Sequence, residues 1–285
     1  MSDSPTAVNQ TGHWAIEAHG LRCVLGQRVV LDGLDLRIGA GQFVGVFGAN
    51  GAGKTTLLRA LLGLQPLQSG SLLLLGRNGV LQRTAVGYVS QRDPVAADSV
   101  VRVRSYVATA WQGERWGLGL RQRAQRAQAV EAALRAVDAA DLSERSMDGL
   151  SGGQRQRVRI AQALVNPVRM LLLDEPLSNL DPQAQQRILH TARKLCREQG
   201  ITVLMTAHDI NPLLPHMDQV LYLAAGKGRL GTVDAVVNGP ALTELYGLPM
   251  AVARDGGYVF IHPAGGFMPE DAAHCGHDHT VGGGA

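Results

Sequence analysis

A glycine-rich segment that follows a short apolar run constrains this chain more than any other feature. Residues 48–55 read Gly-Ala-Asn-Gly-Ala-Gly-Lys-Thr and come directly after the mostly apolar stretch 42–47. Glycines let the backbone wrap closely around a ligand, and this spacing before a helix is typical of a phosphate-binding loop. The loop N–H groups and the helix N-terminus together attract an anion. The sequence therefore predicts a strand at 42–47, a phosphate loop, and a helix that begins at Lys54.

The two residues that end the loop indicate a nucleotide with a bound cation. Lys54 is expected to reach the β- and γ-phosphates, and the Thr55 hydroxyl is expected to ligate Mg²⁺. An ordinary glycine-rich turn is the alternative, but the Lys-Thr pair after a strand argues against it. The predicted nucleotide-binding residues of this segment are Gly48, Asn50, Gly51, Ala52, Gly53, Lys54, Thr55 and Thr56.

A second apolar run, at residues 170–173, ends in Asp174 and Glu175. A buried strand that delivers a carboxylate to its C-terminal edge suits a Mg²⁺ site beside a phosphate loop. Asp174 is expected to hold the metal through water, and Glu175 lies where it could polarise an attacking water. Alone the pair also fits a strand that ends in surface acids, but together with the phosphate loop it predicts a hydrolytic site.

The pattern along the chain predicts the fold class. Strands that alternate with helices indicate a mainly parallel, doubly wound α/β sheet. Residues 14–38 alternate apolar and polar residues, with turn signals at Gly26 and at Asp32-Gly33, and are typical of antiparallel strands. Residues 100–137 are rich in Arg, Gln and Ala and predict a helical insertion.

Composition narrows the possible partners. A formal net charge of +3 is too small to indicate nucleic-acid binding, so the Arg-rich stretch 115–135 is interpreted as the solvated face of helices. Three cysteines give no disulfide framework and favour a reducing compartment. No apolar run approaches the roughly 18–20 residues of a membrane helix, so we expect any membrane role to come through partner subunits.

The motif at residues 150–154, Leu-Ser-Gly-Gly-Gln, gives the chain a specific resemblance. It places a Ser and two glycines at a helix start, which forms a second phosphate-sized nest. One nucleotide does not need two nests from one chain, whereas two facing chains could complete each other's site. The motif resembles the signature of the ABC ATPases, and the resemblance covers about residues 14–250. Gln91 matches that family's Q-loop glutamine, residues 178–181 its D-loop, and His208 its switch histidine.

The resemblance implies a fold and a mechanism. The fold is a P-loop NTPase (RecA-like) core with an antiparallel β subdomain and an inserted α-helical signature subdomain, at about residues 93–161. That domain spans 13–262. The polar N-terminus at 1–12 is predicted to be flexible, and the Gly-rich, polar and aperiodic composition of 263–285 predicts a disordered Gly/His-containing tail. The implied catalytic residues are Glu175 as general base, His208 and Gln91, and the implied Mg²⁺ ligands are Thr55, Gln91 and Asp174.

The same resemblance implies an assembly. ATP lies between the phosphate loop of one subunit and the signature of the other, so the chain is expected to form a homodimer. Integral membrane permease subunits and an extracytoplasmic substrate-binding protein are the other expected partners, with this subunit at the cytoplasmic face of the membrane. The residues that are implied to bind nucleotide across the dimer are Ser151, Gly152, Gly153, Gln154 and Asp181.

One position departs from the family pattern. The family usually has an aromatic residue in the first hairpin that stacks on adenine, and this chain has Leu25 there. Leucine offers apolar contact but no π-face. Either base selectivity is looser in this protein or another aromatic residue, such as Trp14, takes the place of the ring.

The transported substrate is indicated only by analogy. Residues 207–214 and 245–247 resemble the ATPases of zinc and manganese importers, although iron-chelate importers look similar in this region. Soluble ABC ATPases of DNA repair or translation are a further alternative, but this chain lacks their long coiled coil or second ATPase unit. The tail carries possible Zn²⁺ ligands, weighed equally against a polar tail without function: His274, Cys275, His277 and His279.

Overall fold

The computed structural model of the chain describes residues 14–78, 85–91, 100–111 and 120–264. Its strands are β1 (Trp14–Leu25), β2 (Arg28–Gly39), β3 (Phe43–Phe47), β4 (Ser69–Leu74), β5 (Arg77–Asn78), β6 (Val86–Val89), β7 (Met170–Leu173), β8 (Thr202–Thr206), β9 (Gln219–Ala224), β10 (Lys227–Gly231), β11 (Met250–Asp255) and β12 (Tyr258–Pro263). Its α-helices are α1 (Lys54–Leu61), α2 (Val103–Ala108), α3 (Leu120–Ala136), α4 (Gly152–Leu164), α5 (Pro182–Gln199), α6 (Val233–Val236) and α7 (Gly239–Tyr246).

A six-stranded sheet in the order β10-β9-β3-β8-β7-β6 forms the centre of the molecule. All neighbours in it are parallel except β10 and β9, which pair antiparallel at one edge. Every residue of β3, β7 and β8 is buried, as expected for parallel strands covered on both faces. The predicted doubly wound α/β core is therefore confirmed.

Two apolar cores hold the layers together. Alternate residues of β3 point to opposite faces, so Phe43 belongs to one core and Val44 to the other. The first core joins the central sheet to α4, α5 and the helical subdomain, and the second joins it to α1 and to a four-stranded antiparallel sheet. This second sheet has the order β2-β1-β4-β5, so the hairpin β1–β2 is fixed against the same face that carries α1.

The predicted turn at Gly26 is confirmed between β1 and β2, but the turn predicted at Asp32-Gly33 is wrong. Both residues lie inside β2, where Gly33 has a φ of +71° and the register shifts between Leu21↔Leu34 and Cys23↔Leu31. A glycine inside a strand pattern can mark a bulge as well as a turn. The Asp32 N–H donates to the Gly226 carbonyl at 2.8 Å, which anchors the bulged strand to the turn between β9 and β10.

The helical insertion predicted at residues 100–137 is confirmed for its described part, which contains α2 and α3. Both helices pack on α4, which starts at the glycine-rich signature motif. No helix in the described part of the chain combines the length and the apolarity that crossing a membrane requires.

The hairpin β11–β12 was not predicted from the sequence. Pro263, which the sequence analysis placed at the start of the tail, is the last residue of β12. Residues 1–13 and 265–285, which include most of the predicted flexible segments, lie outside the described residues. The proposed domain boundaries remain a prediction there.

Candidate active site

The phosphate-loop segment joins β3 to α1 and depends on its glycines for both shape and packing. Gly48, Gly51 and Gly53 have φ values of 140°, 77° and 104°, a region that residues with a side chain rarely adopt. A Cβ on Gly48 would lie 2.2 Å from the Leu223 carbonyl oxygen, which is shorter than any real contact. The loop can therefore keep this path only with glycine at position 48.

Lys54 opens α1 and turns its side chain back into the loop. Its Nζ donates to the carbonyl oxygens of Gly48 at 2.8 Å and Ala49 at 3.3 Å. Burial lowers the pKa of Lys54, while the nearby carboxylates of Glu175 and Asp174 raise it in part. A cavity of about 260 Å³ opens beside the loop, and its lining includes Asn50, Gly51, Gly53, Lys54, Thr55 and Thr56.

Asp174 stands at the carboxyl end of β7 and is held by three hydroxyl groups. Thr206 Oγ1 donates to its Oδ1 at 2.9 Å, Thr55 Oγ1 donates to the same oxygen at 3.3 Å, and Tyr88 Oη donates to Oδ2 at 3.4 Å. Burial and the neighbouring Asp174 carboxylate raise the pKa of Tyr88, which keeps its hydroxyl protonated as a donor. A carboxylate next to a threonine hydroxyl is a hard-oxygen pair that fits Mg²⁺.

The carboxylate of Glu175 contacts side chains that follow two other strands of the central sheet. Its Oε2 accepts a hydrogen bond from Gln91 Nε2 at 2.6 Å, and its Oε1 lies 2.9 Å from His208 Nε2. Gln91 follows β6, Glu175 follows β7 and His208 follows β8. Because neighbouring parallel strands end at the same edge, the three predicted catalytic residues, far apart in sequence, lie in contact.

The backbone at Glu175 is unusual for a residue with a long side chain. Its φ is +49°, in the left-handed region that non-glycine residues seldom occupy. The Glu175 N–H donates to Thr206 Oγ1 at 2.8 Å, so a hydrogen bond from the adjacent strand supports this conformation. Such backbone strain at a cavity motivates a functional role for the residue.

Thr206 was missed by the sequence analysis. Its hydroxyl is fully buried and makes two hydrogen bonds, accepting from the Glu175 N–H and donating to Asp174. The available signal was a hydroxyl residue directly after the apolar run at residues 203–205, two positions before His208.

The signature motif occupies a separate place from the phosphate loop within one chain. Ser151 caps α4: its Oγ accepts from the Gln154 N–H at 3.2 Å, while Gln154 Oε1 accepts from the Ser151 N–H at 3.0 Å. A cavity of about 160 Å³ is lined by Ser151, Gly153, Gln154 and Asp181, and it shares no residue with the phosphate-loop cavity. The structure does not bring the signature residues to the phosphate loop of their own chain.

Two of these signature-side residues also have a structural explanation. A Cβ on Gly153 would lie 2.7 Å from the Ala184 Cβ, so the glycine lets α4 approach α5. Asp181 caps α5, since its Oδ1 accepts from the Ala184 N–H at 2.9 Å. Gly152 is less constrained, with Leu180 Cδ2 at 3.2 Å from its would-be Cβ.

Leu25 lines the phosphate-loop cavity, as its place in the family pattern implied. Trp14 is the first residue of the same twelve-residue strand and pairs with Gly39 at the opposite end of the hairpin. At the usual rise of a strand the two side chains are roughly 30 Å apart or more. The suggestion that Trp14 replaces the stacking ring is therefore wrong.

A family model described as ABC transporter matches residues 31–178. The chain belongs to the ABC transporter family. It is an ATPase subunit of this family, which binds and hydrolyses ATP. The structural neighbours agree: a chain of a metal-chelate type ABC transporter in an inward-facing conformation superposes with a TM-score of 0.72 and 26% identity. That match covers 87% of this chain and 96% of the other.

Curated relatives of this ABC ATPase subunit differ in the substrates their names give. A manganese transport ATP-binding protein of Bacillus subtilis is 32% identical, over 84% of this chain and 95% of the relative. A zinc transport ATP-binding protein of Treponema pallidum is 35% identical, over 82% and 85%. An aliphatic sulfonates import ATP-binding protein of Pseudomonas entomophila is 38% identical, over 79% and 77%.

The predicted tail ligands His274, Cys275, His277 and His279 lie outside the described residues, so their role stays a prediction. Among residues 14–78, 85–91, 100–111 and 120–264, no group of three His, Cys, Asp or Glu side chains is placed to hold a metal ion.

Thr206→Val removes the buried hydroxyl and nearly preserves the shape of the side chain. We expect a loss of stability of about 1–3 kcal/mol, because the Glu175 N–H and Asp174 each lose a buried partner. ATP hydrolysis should fall as well, since both acids lose their support. Urea unfolding and steady-state ATPase measurements test this, with Thr206→Ser as the control that restores the hydroxyl. Equal stability and activity in Thr206→Val would contradict the supporting role of Thr206.

Proposed function

We propose that this ABC ATPase subunit powers the import of a divalent metal ion such as zinc or manganese, through partner permease subunits. The observation that carries the proposal is the set of relatives, which includes manganese and zinc transport ATP-binding proteins that the chain covers over most of their length. The sulfonate import relative and the metal-chelate type transporter support two competing substrates, a sulfonate and a metal chelate.

The site geometry supports a hydrolytic mechanism. The loop N–H groups and Lys54 would bind the β- and γ-phosphates. Thr55 and Asp174, together with Gln91 as the third predicted ligand, would hold Mg²⁺. The metal, when bound, neutralises charge on the phosphate oxygens. Glu175 accepts a proton from the attacking water, because its carboxylate opens onto the same cavity as Lys54 and Thr55. His208 orients this carboxylate through the 2.9 Å contact and then steadies the γ-phosphate.

The separation of the two cavities supports a dimer as the active unit. Ser151, Gly153, Gln154 and Asp181 line a small cavity away from the chain's own phosphate loop. Gly152 lies between the first two in sequence, at the start of α4. In an antiparallel homodimer the signature of one chain would close the ATP site of the other. Such a dimer at the cytoplasmic face of the membrane would then move the permease subunits, with an extracytoplasmic binding protein supplying the substrate.

Glu175→Gln should keep ATP binding and nearly abolish turnover. A positioned carboxylate base contributes on the order of 10²–10⁴-fold to rate, and the amide keeps the shape of the side chain without its basicity. ATP binding by calorimetry and phosphate release test this in the same preparation. Glu198→Gln, at an exposed position near the end of α5, is the matched control. Near-normal turnover in Glu175→Gln would remove this residue from the base role.

Two inactive variants should restore activity when they are mixed. Lys54→Ala damages the phosphate loop and Ser151→Arg damages the signature, so a mixed dimer keeps one intact site and one doubly damaged site. We expect partial recovery of ATPase activity in co-expressed chains compared with either variant alone. Ser151→Arg by itself should still bind ATP at its own loop, which checks that it is folded. No recovery, with both variants folded, would show that the signature does not act across a dimer.

Deletion of the gene should lower the metal content of the cell. We expect cell-associated zinc or manganese, measured by mass spectrometry in metal-limited medium, to fall and to return with the wild-type gene. Complementation with Glu175→Gln should fail, which ties uptake to hydrolysis. Growth on a sulfonate as sole sulfur source and on chelated iron is measured in parallel. Unchanged zinc and manganese together with a defect in either of those conditions would replace the metal-ion proposal with the corresponding alternative.

A further inference from the structure

The nucleotide cavity has one wall that the family motifs do not explain. That wall comes from the hairpin β1–β2 and consists of Leu25, Arg28 and Val30. Among the residues that the structure describes, no aromatic side chain lines the cavity. Leu25 and Arg28 are direct partners across the hairpin, so their side chains emerge on the same face. A cation thus stands beside the position where the family usually has a stacking ring.

The head of Arg28 faces the phosphate loop. Its two terminal nitrogens, Nη1 and Nη2, both lie 4.0 Å from the point where a Cβ on Gly51 would sit. The forked end of the guanidinium is therefore directed at the loop backbone, while the aliphatic stem begins next to Leu25. Gly51 has a positive φ and no side chain, which leaves this space open between the hairpin and the loop.

Arg28 differs from the neighbouring arginines in having no partner among residues 14–78, 85–91, 100–111 and 120–264. Arg22 on β1 pairs with Asp32 at 2.7 Å, and Arg37 on β2 lies 3.5 Å from Glu17. The Arg28 guanidinium makes no hydrogen bond or ion pair with any side chain or carbonyl in the described part of the chain. Its five donors are available to a ligand in the cavity.

The other charged groups of the cavity already have partners. Lys54 donates to two loop carbonyls, and Glu175 is held by Gln91 and His208. A guanidinium is planar and matches two phosphate oxygens at once, which an ammonium cannot do. The ligand group that best fits an unpaired guanidinium beside a phosphate loop is a phosphate.

We propose that Arg28 is a specificity-determining residue that contacts the phosphates of the bound nucleotide, so that recognition depends on the phosphate chain more than on the base. The proposal rests on ATP binding in the phosphate-loop cavity. Leu25 and Val30 offer the base only apolar contact, which does not distinguish adenine from guanine or cytosine. ATP, GTP and CTP should accordingly bind with affinities that lie within about an order of magnitude of one another.

The test compares Arg28→Met with Arg37→Met as the control. Arg37 lies on the same strand but outside the cavity, so both variants lose one positive charge from β2. Dissociation constants are measured by calorimetry for ATP, CTP and inorganic tripolyphosphate at low and moderate salt. Arg28→Met should weaken all three by a similar factor, roughly 10-fold, as expected for one charge-assisted contact. Arg28→Lys should recover part of the affinity, and Arg37→Met should leave all three unchanged.

Two outcomes would overturn the proposal. Unchanged affinities in Arg28→Met would mean that the guanidinium leaves the cavity when nucleotide binds. Weaker ATP binding with unchanged tripolyphosphate binding, or ATP weakened more than CTP, would assign Arg28 to the base instead of the phosphates. Lys54→Ala serves as the reference: if it does not weaken ATP, the cavity itself is not the nucleotide site, and that failure is distinct from a failure of Arg28 alone.

Discussion

The two hydrogen bonds of the Thr206 hydroxyl are the contact on which the active site depends. This buried group on β8 accepts from the backbone of Glu175 and donates to the carboxylate of Asp174, so one side chain positions two acids of the neighbouring strand. It also supports the positive φ of Glu175, without which the carboxylate would not turn toward Gln91 and His208. Buried hydrogen bonds of this kind are costly to lose because no water can replace them.

The loop that follows β8 also connects the active site to the C-terminal hairpin. After His208 the chain turns through Asp209 to Asn211, whose amide accepts from the Val259 N–H at 2.7 Å and donates to the Val259 carbonyl at 3.1 Å. The side-chain amide of Asn211 therefore pairs with the backbone of β12 as a neighbouring strand would. The Asn211 N–H and its Nδ2 both donate to Asp209 Oδ1 at 2.9 Å, which holds the side chain in place. The C-terminal hairpin is thus physically joined to the loop that carries the histidine.

Much of the site could be predicted because its elements carry local signals. The phosphate loop, the acids after β7 and helix α5 each have a distinct composition. Each also directly follows a segment that the sequence identifies by itself. Parallel pairing then brings Gln91, Glu175 and His208 together, as the order of strands requires. The position of Thr206 carried a signal, but its hydrogen-bond partners, like those of Asn211, could not be predicted, because they lie on other segments of the fold. The bulge at Gly33 was mistaken for a turn for the same reason, since the two are distinguished by register and not by composition.

The nucleotide cavity is built from two sheets, and this division explains how its two sides can differ. Glu175, the acid that lines the cavity, follows β7 of the central sheet, while Leu25 and Arg28 come from the antiparallel hairpin. The hairpin packs closely against the phosphate loop: a Cβ on Gly53 would lie 3.0 Å from Leu31 Cδ2 and 3.2 Å from Val30 Cγ1. Leu31 is buried in the core with α1, whereas Leu25 and Arg28 at the hairpin end are exposed. We therefore expect substitutions at the exposed end to act on the proposed contact with nucleotide. The packing that places the loop and the hydrogen bonds that place the acids involve other residues.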